Sequence, residues 1–506
     1  MEPQVFLVGA GPGHAGLLTL RAVECLARGD LVLYDRLVPI QLLEHAPAHA
    51  ERICVTDLPG RHPERWPHVH TMMIEAARLG RRVVRLKGGD PFIFGRGGEE
   101  AEALRLAGIP YEIVPGVTAG IGAAICAGIP LTHRLHASAV AFVTGHEQGA
   151  KPGTHLDWQA LARFPGTLVV YMGMARLGEV VHALIQHGKD PATPAAAIRQ
   201  ATTAHQQTLE APLRDLPEAV RGAGLKAPAI VIIGSVVSLR PQLAWFEQRP
   251  LFGKQILVTR PRHQAAELMH RLAELGALPL SAPAIEVREP IDWAPVDQAL
   301  AELRHYDWLV FTSANGVRAF FRRMRQCGRD LRWLGGLRLA AIGPATAAAL
   351  REYLLEPDVI PSSYCSESLA AALKERVAGQ RVLLARADRG REVLREVLAG
   401  VATVDQLAVY SQVDAPGMDA QILDQLRQGE IDYVTVTSSN IARVFAESLD
   451  AACRSRIAAG EVQLVSISPV TSAALRQLGL PVAAEASEYT MAGMVEALIQ
   501  LARSKS

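Results

Sequence analysis

The chain has 506 residues, which at about 150 residues per domain predicts three to four domains. Hydrophobic residues make up 49% of it and charged residues 20%, a balance that excludes a disordered or collagen-like chain. The formal net charge is only +1, and neither half has the basic excess of a nucleic-acid-binding protein. We therefore expect a folded protein of several domains without nucleic acid among its partners.

The cysteines and the apolar segments bear on the location of the protein. Six cysteines are scattered without a CxxC pair, which argues against a disulfide framework or a thiolate zinc site and is typical of a reducing cytosol. The sequence runs from Met1 into an apolar strand without a basic leader segment. The longest weakly polar stretch, residues 227–239, is too short to cross a bilayer. These features predict a cytoplasmic protein that has no membrane partner.

A glycine-rich turn follows the first predicted strand, residues 5–8, and a helix is predicted from Leu17. The turn fits the pattern GxGxxG on three glycines, Gly11, Gly13 and Gly16. Because Asp35 ends the next strand, the spacing is typical of dinucleotide binding and favours a nicotinamide- or flavin-dependent oxidoreductase as one hypothesis. Pro12 argues against it, since proline removes an amide donor that a pyrophosphate would use. An ordinary tight strand–helix turn is the other explanation.

Two further turns follow predicted strands. Residues 87–100 contain five glycines, which let the backbone approach a ligand closely, and Asp90 lies among them as a hydrogen-bond acceptor. Residues 115–119 form another turn, which opens a helix of small residues. In open α/β sheets, ligands bind beyond the carboxyl ends of the strands. We therefore expect the three turns to converge on one binding site.

Short apolar runs alternate with helical stretches of about 10–15 residues along the whole chain. This alternation predicts an α/β fold throughout, with parallel sheets covered on both faces by helices. A boundary is expected near residue 250, where one polar-flanked segment ends at Pro250 and a new strand begins after Lys254.

The second half contains an internal duplication at a spacing of 125 residues. The matching places are 312–315 with 437–440, 343–346 with 468–471, Leu350 with Leu475, and the pair Tyr364 and Leu373 with Tyr489 and Leu498. The frequency of Ser/Thr-rich turns after strands does not explain why all matches share one spacing. The sequence therefore predicts two copies of one strand–turn–helix arrangement.

The Ser/Thr-rich turns are also the candidate binding features of the second half. Each offers free amide donors, hydroxyls and the positive end of a helix, an arrangement that suits carboxylates. Simple N-capping accounts for the same residue types, and both explanations stay open. The candidate substrate-binding residues are Thr312, Ser313, Thr437 and Ser438. Residues 253–500 contain no convincing nucleophile–base pair, phosphate loop or metal-binding pattern.

Four segments of the first half closely resemble the uroporphyrinogen-III C-methyltransferase family: GAGPG at 9–13, YDRLV at 34–38, RLKGGDPFIFGRGGEE at 85–100 and VPGVTAG at 114–120. The resemblance covers about residues 3–247. It implies a tetrapyrrole methylase fold of two α/β subdomains, usually a homodimer, with S-adenosyl-L-methionine in the cleft between them. The implied reaction methylates uroporphyrinogen III at C2 and C7 to precorrin-2, which leads to sirohaem and cobalamin.

The resemblance also implies roles for individual residues. The expected cofactor-binding residues are Pro12, Gly88, Gly89, Asp90, Ile93, Thr118, Ala119, Met172 and Ala201. Asp35 matches the general base, with a capping or turn aspartate as the alternative. Arg36 and Arg96 are candidates for binding substrate carboxylates, with surface ion pairing as the alternative. No metal is expected, because His62, His68 and His70 have no carboxylate or thiolate at ligand spacing.

Three positions depart from the pattern that is usual in this family. His14 stands where aspartate is usual, and Ala201 stands where glycine is usual. Asp57 lies in the stretch where the family has a lysine, its proposed acid partner, so that Asp57 cannot inherit this role. A neighbour such as His14, Arg61 or His62 would have to compensate.

The second half resembles the uroporphyrinogen-III synthase family, loosely but along its whole length. The matching elements are LVTRP at 257–261, FTS at 311–313, AIG at 341–343, VYS at 409–411, TSS at 437–439 and VSISP at 465–469. The resemblance implies two α/β domains with parallel sheets and a two-stranded hinge, and conversion of hydroxymethylbilane to uroporphyrinogen III. Tyr410 matches a tyrosine that hydrogen-bonds the departing hydroxyl group, with a packed hinge tyrosine as the alternative.

The two resemblances together define the expected domains. Residues 1–248 are the expected methyltransferase, with subdomains at about 1–113 and 114–248. Residues 249–506 are the expected synthase, with one domain from about 253–286 plus 412–500 and the other from about 287–411. Because the product of the second half would be the substrate of the first, we predict a bifunctional enzyme of tetrapyrrole biosynthesis. A second half that is a non-catalytic, synthase-like binding module is the alternative, beside the oxidoreductase.

Overall fold

The structure is a computed structural model of the chain and describes residues 2–58, 65–145 and 156–504. The chain divides into two compact units. The first comprises residues 1–254 together with 273–278, and the second comprises residues 255–272 together with 279–506. Among the described residues there are four five-stranded sheets, two in each unit.

The elements of the first unit alternate between strand and helix. Its strands are β1 (Val5–Gly9), β2 (Leu31–Tyr34), β3 (Glu51–Cys54), β4 (Val83–Lys87), β5 (Tyr111–Val114), β6 (Val140–Thr144), β7 (Thr167–Tyr171), β8 (Pro194–Arg199), β9 (Gln207–Pro212) and β10 (Ala229–Ile233). Its helices are α1 (Leu20–Leu26), α2 (Arg65–Arg78), α3 (Gly97–Leu106), α4 (Ala119–Ala127), α5 (Trp158–Arg163), α6 (Leu177–Gln186), α7 (Leu216–Gly222) and α8 (Arg240–Leu243).

The second unit alternates in the same way. Its strands are β11 (Gln255–Val258), β12 (Leu278–Ser281), β13 (Ile285–Arg288), β14 (Trp308–Phe311), β15 (Arg338–Ala341), β16 (Arg381–Ala387), β17 (Thr403–Asp414), β18 (Tyr433–Val436), β19 (Gln463–Ser466) and β20 (Val482–Glu485). Its helices are α9 (Arg262–Glu274), α10 (Ala294–Ala301), α11 (Ala314–Gln326), α12 (Pro344–Arg351), α13 (Ser366–Lys374), α14 (Val393–Ala399), α15 (Ala420–Gln428), α16 (Ser439–Ser448), α17 (Ala451–Ala458), α18 (Pro469–Gln477) and α19 (Met491–Arg503).

The first sheet has the order β3-β2-β4-β1-β5, and all its pairings are parallel. Strand β1 is buried on both faces, with Phe6 and Val8 in one apolar core and Val5 and Leu7 in another. Such a strand has to be a continuous apolar run, which is why the sequence reveals it. Parallel strands end at the same edge, so that the three predicted turns begin side by side, as expected.

The helix predicted after the first turn begins later than expected. A single 3-10 turn covers Ala15–Leu17, and α1 begins only at Leu20. Thr19 is its N-cap, because the threonine side chain accepts a hydrogen bond from the Ala22 N–H. The glycine turn and α1 are therefore separated by one more turn of chain.

The second sheet corrects the expectation of parallel sheets throughout. Its order is β6-β7-β10-β8-β9, and only β6 and β7 pair in parallel. Strands β8 and β9 are joined by residues 200–206, which are too few for the crossover that a parallel pair requires. The antiparallel pair presents residues 200–203 as a turn, which carries the predicted Ala201.

The two sheets of the second unit confirm the internal duplication. Strand β14 pairs with β15 in the register Trp308↔Arg338, and β18 pairs with β19 in the register Tyr433↔Gln463, which is 125 residues further along. The correspondence extends to an edge, where Ala340↔Val359 repeats as Val465↔Ala484. Both sheets therefore carry the same arrangement, with the orders β12-β11-β18-β19-β20 and β13-β17-β16-β14-β15.

The strand β17 pairs with two different strands of the second of these sheets. Its first part pairs in parallel with β16, and its last residues, 411–414, pair antiparallel with β13 over Ile285–Arg288. This antiparallel pair is the two-stranded hinge that the resemblance implies. The α/β class of the chain is confirmed, with the antiparallel second sheet as the exception to its parallel pattern. Of the helices that the structure describes, none combines the length and the apolar character needed to span a bilayer.

Candidate active sites

The first glycine turn and the second touch each other directly. The Gly11 N–H donates to the Gly89 carbonyl at 3.1 Å, and the Gly89 N–H donates to the Gly11 carbonyl at 2.8 Å. A Cβ on Gly9 would lie 2.6 Å from the Gly116 Cα and 2.7 Å from the Gly89 oxygen, so a side chain cannot be accommodated there. The glycines are therefore required because three backbone turns pack against one another.

Asp90 ties the second turn to the third. Its Oδ1 accepts the Phe92 N–H at 2.8 Å, and its Oδ2 accepts the Gly116 N–H at 3.0 Å. The carboxylate is half-buried. Asp90 therefore shapes the cleft through two backbone amides, and any contact with a cofactor would be made in addition to them.

Tyr171 connects the third turn to a fourth, which follows β7. Its hydroxyl shares a hydrogen bond of 2.8 Å with Thr118 Oγ1 and accepts the Gly120 N–H at 2.7 Å. Burial raises the pKa of this hydroxyl, so that it stays protonated and can donate to Thr118. The next residue, Met172, is left-handed with φ 54° and is 51% exposed.

The antiparallel turn after β8 reaches back to the first turn. The Thr202 Oγ1 accepts the His14 N–H at 3.1 Å, and the His14 Nδ1 accepts the Gly16 N–H at 3.0 Å. Pro12 packs on α4, where a Cβ on Gly122 would be only 2.5 Å from the proline Cγ. Three of the predicted cofactor residues, Ile93, Ala119 and Ala201, pack against one apolar cluster.

The five turns thus gather the nine predicted cofactor residues of the first unit. Backbone strain is concentrated in the same place. Of the six non-glycine residues with positive φ in the described part of the chain, five lie in these turns: Phe94, Arg96, Met172, Gln200 and Thr202. Such conformations are costly and cluster at ligand sites. Neither this backbone strain nor the bridging role of Tyr171 was predicted from the sequence.

Asp35 follows β2 at the same edge of the first sheet. Its N–H donates to the Leu86 carbonyl at 3.2 Å, which places it beside the end of β4. Its Oδ1 accepts a hydrogen bond of 2.5 Å from the Arg85 Nη2, while the carboxylate stays 29% exposed. The Asp35 side chain is paired with a buried guanidinium, while its carbonyl accepts the Val38 N–H at 3.0 Å and begins a turn. The general-base and turn explanations of this aspartate therefore both stay open.

A buried group of charges lies beneath Asp35 that the sequence analysis did not identify. Glu100 Oε1 accepts hydrogen bonds from Arg85 Nε at 3.0 Å and from Lys87 Nζ at 2.8 Å. Burial lowers the pKa of the Lys87 ammonium, and the adjacent Arg85 lowers it further. For Arg85, burial would lower the pKa, but Asp35 and Glu100 raise it above its usual range. The feature of the sequence that could have indicated this group is the pair of basic residues, Arg85 and Lys87, at alternate positions of a buried strand.

The two arginines predicted to bind substrate are placed differently. Arg36 Nη2 pairs with Asp57 Oδ1 at 3.0 Å, and both side chains are largely exposed. Asp57, which departs from the family pattern, therefore neutralises the charge of Arg36, the residue that follows Asp35. Arg96 is the N-cap of α3, and its guanidinium stacks 5.2 Å from the Trp66 ring centroid. Arg61 and His62, named as possible compensating residues, lie outside the described residues.

In the second unit, the structure brings Tyr410 and Ser313 together. Their hydroxyls share a hydrogen bond of 3.0 Å, and Ser313 Oγ also accepts the Gly316 N–H at 3.0 Å. Burial raises the pKa of Tyr410, an effect partly offset by hydrogen bonds with Ser313 and Gln412. Tyr410 is thus a protonated donor at the end of the strand pair β16–β17, next to the hinge.

The repeated turn at 437–440 is linked to this tyrosine through the hinge. Ser438 caps α16 by accepting the Ile441 N–H at 3.2 Å, and Asn440 Nδ2 donates to Gln412 Oε1 at 3.3 Å. Capping therefore applies to both serines, Ser313 and Ser438. Thr312 and Thr437 occupy repeat-equivalent, half-buried positions before the two caps, and their role in binding stays a prediction.

A pocket of about 180 Å³ lies next to Tyr410. Its lining includes Trp293, Tyr410 and three basic residues, Arg288, Arg318 and Arg322. Arg288 and Arg318 are salt-bridged to Glu286 and Glu352, which reduces the positive charge they present. A larger cavity of about 570 Å³ in the same unit does not include Tyr410. The smaller pocket is therefore the one that contains the predicted tyrosine.

No group of three potential metal-binding side chains is found within residues 2–58, 65–145 and 156–504. His62, one member of the histidine group considered from the sequence, lies outside these residues. The site chemistry of the described residues consists of carboxylates, guanidinium groups, hydroxyls and backbone amides.

Each half of the chain matches the model of a known protein family. Residues 4–217 match the family model of tetrapyrrole (corrin/porphyrin) methylases, and residues 266–496 match that of uroporphyrinogen-III synthase HemD. The porphyrin biosynthesis protein HemD of Ruminiclostridium josui is 36% identical over 449 residues, which cover 88% of each chain. The uroporphyrinogen-III C-methyltransferase of Bacillus subtilis is 37% identical over 360 residues, 71% of this chain and 74% of that protein.

A solved structure adds a partial match. The uroporphyrin-III C-methyl transferase of Thermus thermophilus, complexed with S-adenyl homocysteine, is 40% identical and covers 47% of this chain and 99% of its own, with a TM-score of 0.40. The alignment with the relative from Ruminiclostridium josui covers 88% of this chain and therefore extends into both matched regions. The chain therefore belongs to the family of porphyrin biosynthesis proteins that join a tetrapyrrole methylase to a uroporphyrinogen-III synthase.

Proposed function

We propose that this protein performs two successive reactions of tetrapyrrole biosynthesis. The second unit cyclises hydroxymethylbilane to uroporphyrinogen III with loss of water. The first methylates uroporphyrinogen III at C2 and C7 with S-adenosyl-L-methionine and gives precorrin-2. The observation that carries the proposal is the convergence of five strand-end turns beside an ion-paired but partly exposed carboxylate, Asp35.

The residues of the first cleft fit S-adenosyl-L-methionine better than a dinucleotide. Pro12 supplies no N–H, which a pyrophosphate would need, whereas a cofactor without phosphates loses nothing there. Gly89, with φ 68°, lets the backbone approach a ligand closely, and the exposed Met172 offers an apolar, polarisable surface for the adenosine. When bound, the cofactor supplies an electrophilic methyl group. The residues proposed to hold it are Pro12, Gly88, Gly89, Asp90, Ile93, Thr118, Ala119, Met172 and Ala201.

Asp35 is proposed to act as the general base. Methylation of a pyrrole carbon releases one proton for each methyl group gained, and an ionised carboxylate at the edge of the cleft can accept it. Arg85 holds this carboxylate from the buried side through a 2.5 Å hydrogen bond. Arg36 and Arg96 are proposed to bind carboxylates of the substrate, although Arg36 would first have to leave Asp57.

The second reaction requires positioning more than charge. We propose that the Tyr410 hydroxyl donates a hydrogen bond to the departing hydroxyl group of hydroxymethylbilane, with Ser313 orienting the tyrosine. Loss of water leaves an electrophilic methylene carbon, which the last pyrrole attacks through the α-carbon that already carries the bridge to the third ring. That bridge bond then breaks and re-forms at the other α-carbon of the last ring, which loses its proton, so that the ring is inverted and the macrocycle is closed. Holding the folded chain in a reactive geometry supplies most of the acceleration. Substrate carboxylates are proposed to meet the helix N-termini at Thr312, Ser313, Thr437 and Ser438.

The full-length chain tests both halves in one assay. Hydroxymethylbilane alone is expected to give uroporphyrinogen III, and addition of S-adenosyl-L-methionine is expected to carry it to precorrin-2. Formation of only the type I isomer would contradict the synthase reaction and favour a non-catalytic binding module. Uroporphyrinogen III that stays unmethylated would contradict the methyltransferase.

Two further proposals follow from the same assignment and have simple tests. Calorimetry is expected to show binding of S-adenosylhomocysteine and no binding of NAD, and the reverse result would favour an oxidoreductase. We also propose a homodimer formed through the first unit. Light scattering of the purified chain is expected to give twice the monomer mass, and a monomeric mass would contradict it.

A further inference from the structure

Strand β4 carries two basic side chains into the interior of the first unit. Arg85 and Lys87 are 0% and 1% exposed, and they share the face of the strand that also holds Val83. An unpaired charge in such a place would cost several kcal/mol, so each of them needs a counter-charge. The counter-charge they share is Glu100, which is itself 0% exposed.

Glu100 joins the two cations at one oxygen atom. Its Oε1 accepts from Arg85 Nε at 3.0 Å and from Lys87 Nζ at 2.8 Å. Its buried Oε2 has no hydrogen-bond partner among the described residues.

All three guanidinium nitrogens of Arg85 donate hydrogen bonds. Its Nη1 donates to the Leu33 and Leu86 carbonyls, both at 3.3 Å, and its Nε is bound to Glu100. The remaining Nη2 donates to Asp35 Oδ1 at 2.5 Å. A planar guanidinium bound at three nitrogens has little freedom to rotate, and it therefore also restricts the orientation of the Asp35 carboxylate bound to it.

We propose that Arg85, anchored by Glu100, is the positioning residue for Asp35 and holds its carboxylate in the orientation required for proton transfer. This inference rests on the methyltransferase activity proposed above. It also links the base to the second glycine turn, because Lys87, the other partner of Glu100, directly precedes Gly88. The four side chains Asp35, Arg85, Lys87 and Glu100 carry two positive and two negative charges in their ionised forms, so the group is balanced as a unit.

Lysine at position 85 is the informative substitution. R85K keeps the positive charge, but a single ammonium cannot reproduce the planar fork that reaches Glu100 and Asp35 together. We expect R85K to lower kcat for methylation of uroporphyrinogen III on the order of 10²-fold, the effect of a misplaced catalytic group, with the KM for S-adenosyl-L-methionine changed less than about twofold. R82K is the matched control, since Arg82 precedes the same strand and lies on the surface near Asp30.

A double-mutant cycle with D35N separates positioning from a merely structural role. If Arg85 acts through Asp35, R85K lowers the residual rate of D35N by less than about twofold. An equal loss in the wild-type and D35N backgrounds would overturn the inference, as would an R85K variant with unchanged kcat. Binding of S-adenosylhomocysteine by calorimetry verifies that each variant is folded.

Should R85K fail to fold, E100Q is tested by the same criteria, because it removes the charge of the anchor and keeps its size. We expect E100Q to lower kcat about 10-fold, and again only in the presence of Asp35. A full-length wild-type chain that transfers no methyl group would overturn the proposed function and this inference with it. An active wild type with equal losses in both backgrounds would overturn only the inference.

Discussion

Asp35 and Tyr410 each lie near the carboxyl end of a strand that pairs in parallel with its neighbour, yet their surroundings are built from different chemistry. The first surrounds Asp35 with a buried group of charges, Arg85, Lys87 and Glu100. The second brings together two neutral hydroxyls, those of Tyr410 and Ser313. A reaction that releases protons needs a carboxylate held in a fixed orientation. A reaction that folds and closes a flexible chain needs shape and neutral donors.

The largest effect is expected from removing the carboxylate of the first site. D35N keeps the size of the side chain but cannot accept the proton, so methylation of uroporphyrinogen III is expected to slow about 10³-fold. Cyclisation of hydroxymethylbilane by the same preparation is the internal control and is expected to be unchanged. A D35N protein that still methylates at the wild-type rate would contradict the view that the first site depends on the carboxylate of Asp35.

The neutral site is expected to respond less strongly to loss of its donor. Y410F removes the hydroxyl that shares a hydrogen bond with Ser313, and we expect the cyclisation rate to fall about 10²-fold with the methylation rate unchanged. Y433F is the matched control, since Tyr433 is a buried tyrosine of the same unit that begins β18. Equal losses in Y410F and Y433F would mean that Tyr410 acts only through packing.

The glycine turns of the first unit are expected to matter for stability. A Cβ on Gly116 would overlap the Gly89 carbonyl oxygen, whereas a Cβ on Gly98 would have no neighbour within 4 Å. We expect G116A to lower the free energy of unfolding by about 1–3 kcal/mol through overpacking. G98A in α3 is expected to be neutral or to stabilise by up to about 1 kcal/mol. Thermal unfolding of both variants measures the contrast, which equal Tm values would contradict.

The smallest effect is expected at the surface of the second unit, where Asp450 caps α17. Its pKa is lowered to about 2 by hydrogen bonds from the Cys453 N–H and Arg427. A carboxyl group with a lowered pKa stabilises the fold above its unfolded pKa, and this contribution is lost as the pH falls through the folded value. D450N is therefore expected to be less stable than wild type at pH 6, with a smaller difference at pH 3. Urea unfolding at the two pH values measures it, and a constant difference would contradict the ionic contribution.

Much of the fold could be predicted because its strands are buried on both faces. The runs at 5–8 and 308–311 are continuously apolar, and the repeat at 125 residues is preserved down to the register of β14–β15 and β18–β19. The direction of the second sheet could not be predicted in this way. Apolar runs look alike in parallel and antiparallel sheets, and the short connection between β8 and β9 decides between them.

The candidate sites were predictable to a different degree. Glycines in a turn and a carboxylate at a strand end are visible in the sequence, as are the four segments that resemble a methyltransferase. The strained residues Phe94, Met172 and Thr202 are not visible, because a positive φ at a non-glycine residue leaves no mark in the amino-acid type. The bridging role of Tyr171 is not visible in the sequence either, because its hydroxyl finds its partners across the cleft.

The net charge of the chain is only +1, and this number gives no indication of the buried charges in the first unit. The alternation of strands and helices, the duplication and the positions of the turns can all be predicted from the amino-acid order, since they follow from local patterns of hydrophobicity and glycine. The burial of Arg85, Lys87 and Glu100 together beneath Asp35 becomes visible only in the folded protein. Electrostatic interaction depends on distance and burial, and residues 15 positions apart become partners only when α3 packs against β4.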